Sequence, residues 1–316
     1  MSSVLITGGM GFIGSYLACR LTSHGHSVLA YGLTQSYSYP GPTFLENMAY
    51  RRGLLSASIT KRGSTLEPFL LSETIHHFAP THLVHLAALP IASVSLAHRE
   101  EAFDNTLRGL FNVLEILKNT PAHLIYISSS MVYGDFSQTP MPEDGPTNPK
   151  GIYGALKLMG ETLVKVYGLR YSLPYTIVRP SAVYGPGDTN YRVLQIFIEN
   201  ALSGKPITVN GNPSMDFTYV EDVAQGLAAT LLPEAAGKTF NITRGEGRTL
   251  NEAVTILKEH FPELQVVQAE GSNHTPKRGA LNITLAQDIL GYSPQFSLEE
   301  GLHCYISYAR NTKGET

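Results

Sequence analysis

The segment that decides the fold lies near the N-terminus and reads Val4-Leu5-Ile6-Thr7-Gly8-Gly9-Met10-Gly11-Phe12-Ile13-Gly14. Its first three residues predict a buried strand, and apolar residues at helical spacing after the glycines predict a helix. Glycines in such a turn let the backbone approach a pyrophosphate, which then lies at the positive helix N-terminus. A tight turn without a ligand is the alternative, which the position between strand and helix disfavours. The pattern predicts a dinucleotide-binding turn with these contacts: Gly8, Gly11, Phe12, Ile13 and Gly14.

Short apolar runs alternate with helix-length stretches through the first half of the chain of 316 residues. The runs lie at residues 4–6, 28–30, 83–86, 124–127 and 176–178. Continuous apolar strands are typical of burial on both faces, and strands that alternate with helices form parallel sheets. We therefore expect an α/β fold, a Rossmann-type doubly wound parallel sheet with a smaller C-terminal substrate lobe.

Pro and Gly become frequent after residue 178, which indicates a second lobe. We expect a dinucleotide-binding domain at residues 1–180 and a substrate-binding lobe at residues 181–316, with residues 216–243 packing back on the first domain. Residues 34–64 show no convincing period. Arg51 and Arg52 in this segment are interpreted as exposed, solvated charges, with a phosphate contact as the alternative.

Composition excludes several classes of protein. The net charge of -3, without a long basic stripe, argues against a nucleic-acid partner. Cys19 and Cys304 lie far apart and predict neither a disulfide framework nor a zinc site, and the eleven histidines lack metal-ligand spacing, so we expect no metal. No apolar run has the length of a membrane span and no leader is recognisable, so we expect no membrane partner and a cytoplasmic location.

A tyrosine, a lysine and a run of serines form a candidate catalytic group. Residues 153–167 read as a helix, which places Tyr153 and Lys157 on one face. An ammonium beside a phenol favours the phenolate and lowers a pKa that starts near 10, as a general base requires. Residues 128–131, Ser-Ser-Ser-Met, follow a predicted strand at the sheet edge where ligands bind. A turn or a helix cap is the alternative for the serines.

Six motifs, in order, resemble the extended short-chain dehydrogenase/reductase family, and more narrowly its NAD-dependent nucleotide-sugar epimerases and dehydratases. They are TGGMGFIG (7–14), HLAA (85–88), SSSMVYG (128–134), YGALK (153–157), VYGPG (183–187) and DFTYVEDVA (216–224). The resemblance implies that Ser129, Tyr153 and Lys157 are catalytic. It also implies NAD contacts at Ala87, Asn105, Tyr153 and Lys157, and a homodimer through residues 107–117 and the Tyr153 helix. Gly32 stands where an acid is usual, so NADP is not excluded.

The resemblance implies an opening step in which Tyr153 takes the proton of a sugar hydroxyl, commonly at C4, while the carbon loses hydride. Epimerisation, dehydration and dehydrogenation diverge from the resulting ketone. Family dehydratases carry an Asp-Glu pair where this chain has Ser130 and Met131, and methionine transfers no proton. We therefore expect a C4 epimerase acting through a transient 4-keto intermediate. The alternative is a dehydrogenase or reductase of a sugar or other secondary alcohol; a dehydratase and a non-catalytic dinucleotide-binding protein are further alternatives.

The resemblance also implies where a nucleotide sugar is bound. Family members carry Asn before VYGPG and Arg before DF, but this chain has Ala182 and Met215. Loss of the arginine removes a bidentate phosphate contact, and Arg192 and Arg278 are candidates to replace it, with an exposed surface charge as the alternative for each. The expected substrate contacts are Ser129, Ser130, Met131, Tyr184, Arg192 and Arg278.

Overall fold

The computed structural model describes residues 1–33, 43–89, 92–271 and 276–313. The strands are β1 (Ser3–Thr7), β2 (Ser27–Gly32), β3 (Ile59–Arg62), β4 (His82–His85), β5 (His123–Ile127), β6 (Tyr175–Arg179), β7 (Val183–Tyr184), β8 (Ile207–Asn210), β9 (Ser214–Met215), β10 (Thr218–Tyr219), β11 (Thr239–Asn241), β12 (Arg248–Thr249) and β13 (Val266–Ala269). The helices are α1 (Phe12–Ser23), α2 (Phe44–Leu54), α3 (Pro68–Phe78), α4 (Ala92–Ala97), α5 (Arg99–Phe103), α6 (Gly109–Leu117), α7 (Ile152–Tyr171), α8 (Val193–Leu202), α9 (Val220–Ala229), α10 (Leu250–His260), α11 (Thr284–Leu290) and α12 (Leu298–Lys313).

Seven strands form one parallel sheet in the order β11-β6-β5-β4-β1-β2-β3. The strand order reverses between β1 and β4, and ligands of doubly wound sheets bind at the carboxyl ends of the strands at such a point. All five strands expected from the sequence are present in this sheet. The Rossmann-type doubly wound fold is therefore confirmed.

Helices cover both faces of the sheet, which explains the unbroken apolar runs in its strands. Val4 and Ile6 pack on one face with α1 and α9, whereas Leu5 packs on the other face with α3, α6 and α7. Alternate side chains of a strand point to opposite faces, so burial on both requires apolar residues throughout. The central strands thus carry one apolar core on each face of the sheet.

The chain after β6 builds a second core and then returns to the sheet. The second core lies between α8, α10 and α12, with the pairs β8–β13, β7–β10 and β9–β12 beside it. The return begins at α9, which packs against α1, and continues with β11, which pairs in parallel with β6. The part of the chain that contains the second core is therefore attached to the first domain through both α9 and β11.

The segment without sequence periodicity contains α2 and β3, and residues 34–42 of it lie outside the described part of the chain. β3 is an edge strand whose side chains are largely exposed, so it needs no apolar run. The buried residues of α2 are the polar Asn47 and Arg51. The sequence did not predict these elements, because α2 buries polar side chains and β3 buries little apolar surface. Neither element therefore shows an apolar pattern.

Among the described residues, no helix has the length and apolar character to cross a membrane. The same residues contain no cluster of three or more His, Cys, Asp or Glu side chains arranged to hold a metal ion.

Candidate active site

The turn between β1 and α1 is too tight for side chains. Gly8 has a φ of +73°, and a Cβ there would lie 2.8 Å from the backbone nitrogen of Ala87. Gly11 precedes α1, and its N–H donates to the Gly8 carbonyl oxygen at 2.9 Å. A Cβ at Gly14 would collide with the same oxygen. Backbone therefore lines the turn, and the first N–H groups of α1 are available to an anion.

This turn forms one wall of a cavity, which we call the glycine-turn pocket. Asn105 reaches it from a π-helical turn, Asp104–Arg108, that joins α5 to α6, and its amide donates to the Glu101 carbonyl oxygen at 2.9 Å. Such turns are frequent at functional sites. The pocket brings together every residue of the glycine and HLAA motifs expected to bind cofactor, together with Asn105: Gly8, Gly11, Phe12, Ile13, Gly14, Ala87 and Asn105.

Sequence reasoning missed a second group of residues in the glycine-turn pocket. They are Tyr31, Leu33, Gly63, Ser64, Thr65, Leu86, Ala88, Thr189 and Asn190. Arg51, for which a phosphate contact was only the alternative interpretation, also lines this pocket. Most residues of the second group follow or end β2, β3 or β4, so the rule that ligands bind at carboxyl ends of parallel strands points to them once β3 is recognised. Gly32, at the end of β2, also lines the pocket and offers no carboxylate to a ribose.

Arg51 is buried, so its interpretation as a solvated charge is wrong. Its Nε donates to the Gly187 carbonyl oxygen at 2.5 Å and its Nη2 to Thr189 Oγ1 at 2.8 Å. Burial lowers the pKa of this guanidinium to about 10. The contacts join α2 to the loop after β7, at a sequence separation of 136 and 138 residues. Arg52 is exposed, as interpreted.

The serine run follows β5 and begins a 3₁₀ turn, Ser130–Val132. The Ser129 hydroxyl accepts a hydrogen bond from the backbone N–H of Met131 at 3.2 Å, and it lowers the pKa of the Tyr153 phenol, which lines the same pocket. The start of α7 approaches this turn closely, because a Cβ at Gly154 would lie 2.5 Å from the Met131 carbonyl oxygen. Ser129 therefore caps the 3₁₀ turn and also lies in the same pocket as Tyr153.

These residues line a second cavity, the serine–tyrosine pocket, which adjoins the glycine-turn pocket through Ile13, Leu86, Ala88 and Arg192. The structure brings the expected catalytic residues and most of the expected substrate contacts together here. They are Ser129, Ser130, Met131, Tyr153, Lys157, Arg192 and Arg278.

Lys157 is buried and points its ammonium at the sheet. Its Nζ donates to the Ile127 carbonyl oxygen at 2.8 Å and lies 5.9 Å from the centroid of the Tyr153 ring. Burial lowers the pKa of Lys157 to about 8, against the opposing charge of Glu161. The i, i+4 spacing thus places the lysine beside the tyrosine ring, as expected.

The electrostatics of Tyr153 differ from the expectation. Burial raises the pKa of its phenol, and the two groups that oppose this rise are Arg192, by its charge, and Ser129, by its hydrogen bond. We expected Lys157 to lower this pKa, but its ammonium is directed at a backbone carbonyl of β5. The cation that acts on the phenol comes from the second lobe.

Arg192 and Arg278 also line a third cavity, the arginine pocket, whose other walls are largely apolar: Ala182, Val183, Tyr184, Val193, Leu194, Met215 and Phe217. Arg192 Nη1 forms an ion pair with Asp188 Oδ2 at 2.8 Å. Arg278 has no acidic partner among the described residues, its Nε is buried without a hydrogen bond, and burial lowers its pKa. A guanidinium with a buried, unbonded nitrogen and no counter-charge among the described residues favours an anionic ligand.

Tyr184 and Met215 belong partly to the core of the second lobe. The Tyr184 hydroxyl donates to the Leu298 carbonyl oxygen at 3.5 Å, and its ring lies 5.6 Å from that of Tyr219. Tyr184 therefore forms a pocket wall, with its hydroxyl committed to the protein rather than to the cavity. Met215, where the resemblance implies an arginine, is buried against the same core.

A family model matches most of the chain, and curated relatives match nearly all of it. The model described as "NAD dependent epimerase/dehydratase family" matches residues 4–243. The chain is 31% identical to UDP-glucuronate 4-epimerase 1 of Arabidopsis thaliana, over 99% of this chain and 79% of the relative. It is 29% identical to UDP-glucose 4-epimerase of Mycolicibacterium smegmatis, over 97% and 98% of the two chains.

Solved structures agree with these relatives. UDP-glucose 4-epimerase of Thermotoga maritima with UDP-glucose has a TM-score of 0.88 and 26% identity, over 98% of this chain and 99% of that one. UDP-glucuronic acid 4-epimerase of Bacillus cereus with UDP-glucuronic acid and NAD has a TM-score of 0.88 and 28% identity over the same shares. The chain belongs to the NAD dependent epimerase/dehydratase family, the extended short-chain dehydrogenase/reductase enzymes for which NAD is the cofactor.

Proposed function

We propose that this protein interconverts the two C4 stereoisomers of a UDP-sugar, through a transient 4-keto intermediate. The observation that carries the proposal is the direct junction of the glycine-turn pocket with the pocket that holds Ser129, Tyr153 and Lys157. The relatives and solved structures named above, which are 4-epimerases of UDP-glucose and UDP-glucuronate, support it.

The glycine-turn pocket fits NAD. A Cβ at Gly8 or Gly14 would strike backbone, so the turn is built to expose backbone to a ligand. We assign the pyrophosphate to Gly8, Gly11 and Gly14, and the nicotinamide side to Asn105 and Lys157. Phe12, Ile13 and Ala87 are assigned as further contacts of the same cofactor. NAD held by these residues would supply the acceptor, and then the donor, of the hydride at the sugar carbon.

The side chains of the serine–tyrosine pocket then divide the proton chemistry. Tyr153 takes the proton of the C4 hydroxyl and later returns it, while the neighbouring Ser129 hydroxyl favours the deprotonated phenol. Lys157, fixed by Ile127, places positive charge on the sheet side of the tyrosine. Met131 has no proton to give, so elimination of water lacks the acid and base that it needs.

The two arginines supply the positive charge for a diphosphate. Arg278 has no counter-charge of its own among the described residues, and Arg192 uses one nitrogen for Asp188. A guanidinium can donate several hydrogen bonds to phosphate oxygens, which compensates for Met215. We assign Ser130 and Met131 to the sugar end of the substrate, and the wall formed by Tyr184 to its nucleotide side.

The test is turnover of a panel of UDP-, GDP-, CDP- and dTDP-hexoses and hexuronates, with analysis of products and of free NADH. We expect the C4 stereoisomer of a UDP-sugar without accumulation of NADH. Tyr153→Phe should lower kcat about 10²- to 10⁴-fold, because it removes the proton-transferring group. The matched control is Tyr171→Phe, at the exposed end of the same helix. Stoichiometric NADH with a keto-sugar would instead identify a dehydrogenase.

We also propose that the protein is a homodimer. The neighbouring helices α6 and α7 leave large apolar side chains exposed, namely Phe111 on α6 and Met159 and Val166 on α7. A second copy would bury this strip by placing the helices of both copies in one bundle. Location in the cytoplasm stays a proposal, supported by the two free cysteines.

A further inference from the structure

Arg192 lies where the three pockets meet, immediately before α8. It lines the glycine-turn pocket, the serine–tyrosine pocket and the arginine pocket. Its guanidinium carbon lies 5.7 Å from the centroid of the Phe12 ring, at the start of α1, and 27% of its side chain is exposed. The second lobe therefore presents a cation to the junction between the cofactor turn and the tyrosine.

The position of this cation is held by a buried acid. Asp188 is 1% exposed, and its Oδ1 accepts hydrogen bonds from the backbone and side-chain nitrogens of Asn190, at 3.1 and 2.8 Å. The Asp188 carbonyl oxygen accepts the Asn47 amide of α2 at 2.8 Å. The remaining carboxylate oxygen binds Arg192 Nη1 at 2.8 Å. An acid fixed in this way limits the positions open to the arginine and leaves its other nitrogens for the pockets.

Charged and titratable groups reach the Tyr153 environment from several elements. They are Lys157 and Glu161 on α7, Tyr126 on β5, His85 on β4, and Arg192 and Arg278 from the second lobe. Burial lowers the pKa of His85 to about 3, so it is neutral at the pH of most enzymes. Burial also lowers the pKa of Lys157 to about 8, so its charge falls in mildly alkaline solution. Of the two arginines, Arg192 is the one whose charge opposes the rise of the Tyr153 pKa.

We propose that Arg192, anchored by Asp188, is a positioning residue that stabilises the deprotonated form of Tyr153 in the pocket that both residues line. This deepens the proposed function, on which it rests, because the sequence led us to expect that Lys157 lowers the pKa of the tyrosine and gave Arg192 no such role. The direction of the Tyr153 pKa agrees with it, since burial raises this pKa and the charge of Arg192 opposes the rise.

The test compares Arg192→Met with Arg192→Lys, and uses Arg52→Met, an exposed arginine on α2, as the control. Tyrosinate absorbance is titrated in each protein and in the same protein carrying Tyr153→Phe, so that the difference reports Tyr153 alone. We expect Arg192→Met to move the titration midpoint upward by roughly one pH unit or more, and Arg192→Lys to return the midpoint most of the way to the wild-type value. The rising limb of the kcat–pH profile should move in the same direction. At pH values below that limb, kcat should fall about tenfold for each pH unit by which the midpoint rises.

An unchanged midpoint and an unchanged kcat profile, with only KM raised, would reduce Arg192 to a substrate contact and overturn the inference. The absorbance titration needs no substrate, so it decides the role of Arg192 even if the wild-type protein turns over no nucleotide sugar. Absence of turnover with every nucleotide sugar would contradict the proposed function alone.

Discussion

At the scale of single residues, the catalytic side chains lie in short motifs that can be recognised in the sequence. Ser129, Tyr153 and Lys157 lie in two short motifs, and contacts at Gly154 and Ile127 bring those motifs together. The burial of Arg51 was not predicted, because its hydrogen-bond partners lie 136 and 138 residues away and no local pattern reveals them. The effect of Arg192 on the tyrosine was missed for the same reason.

His85 gives a prediction for stability against pH. It lies at the end of β4, fully buried, with Nδ1 2.8 Å from Thr7 Oγ1. Burial, and then the charge of Lys157, lowers its pKa from 6.5 to about 3. A depressed folded-state pKa gives stability that is complete above pH 6.5 and is lost as the pH falls toward 3. The free energy of unfolding should therefore fall over this range by about 1.4 kcal/mol for each pH unit from this group.

Denaturant unfolding of the wild type and of His85→Gln at several pH values measures this effect. The variant should be less stable at pH 7 but should lose less stability on acidification. His76→Gln, at an exposed position of α3, is the control and should follow the wild type. Parallel pH curves for wild type and His85→Gln would show that the buried imidazole is not responsible.

At the scale of elements, apolar patterns predicted the strands that are buried on both faces and the helix α1 after the glycine turn, but they did not predict α2 and β3. β3 lies at the sheet edge with little apolar burial, and α2 buries Asn47 and Arg51. Arg51 of α2 and the residues that follow β3, namely Gly63, Ser64 and Thr65, form part of the wall of the glycine-turn pocket. The predictable part of the site is the part on central strands, because only there does burial impose an unbroken apolar run.

A buried ion pair ties α7 to the sheet, about two helical turns after Tyr153. Arg179, at the end of β6, donates to both carboxylate oxygens of Glu161, at 2.8 and 2.7 Å, and Ser128 donates to the same carboxylate at 2.6 Å. Arg179→Met leaves the Glu161 charge buried and unpaired, so we expect a loss of about 3–5 kcal/mol in the free energy of unfolding. Thermal and denaturant unfolding check this.

Arg62→Met, at the exposed end of β3, is the matched control and should change stability by less than about 0.5 kcal/mol. The double variant Arg179→Met/Glu161→Leu should recover part of the loss, because no charge is then left buried alone. A small effect of Arg179→Met would mean that the pair does not hold α7 in place.

At the scale of the whole molecule, the two lobes meet around one cleft, and the proposed dimer strip lies on helices that also carry the site. Phe111→Asp combined with Met159→Glu should convert a dimer into monomers, because two charges cannot be buried in an apolar bundle. Sedimentation or light scattering measures the mass. Val267→Asp, at an exposed apolar side chain of β13, is the control. A wild-type monomer would contradict the proposed assembly.

The central claim is that one carbon of the sugar loses and regains its own hydrogen with inverted geometry. The direct measurement supplies UDP-glucose or UDP-glucuronate with deuterium at C4 and follows the product by mass spectrometry and NMR. The account predicts the C4 stereoisomer with the deuterium still at C4 and no free NADH. Deuterium lost from C4, with accumulation of a keto-sugar and reduced cofactor, would contradict it.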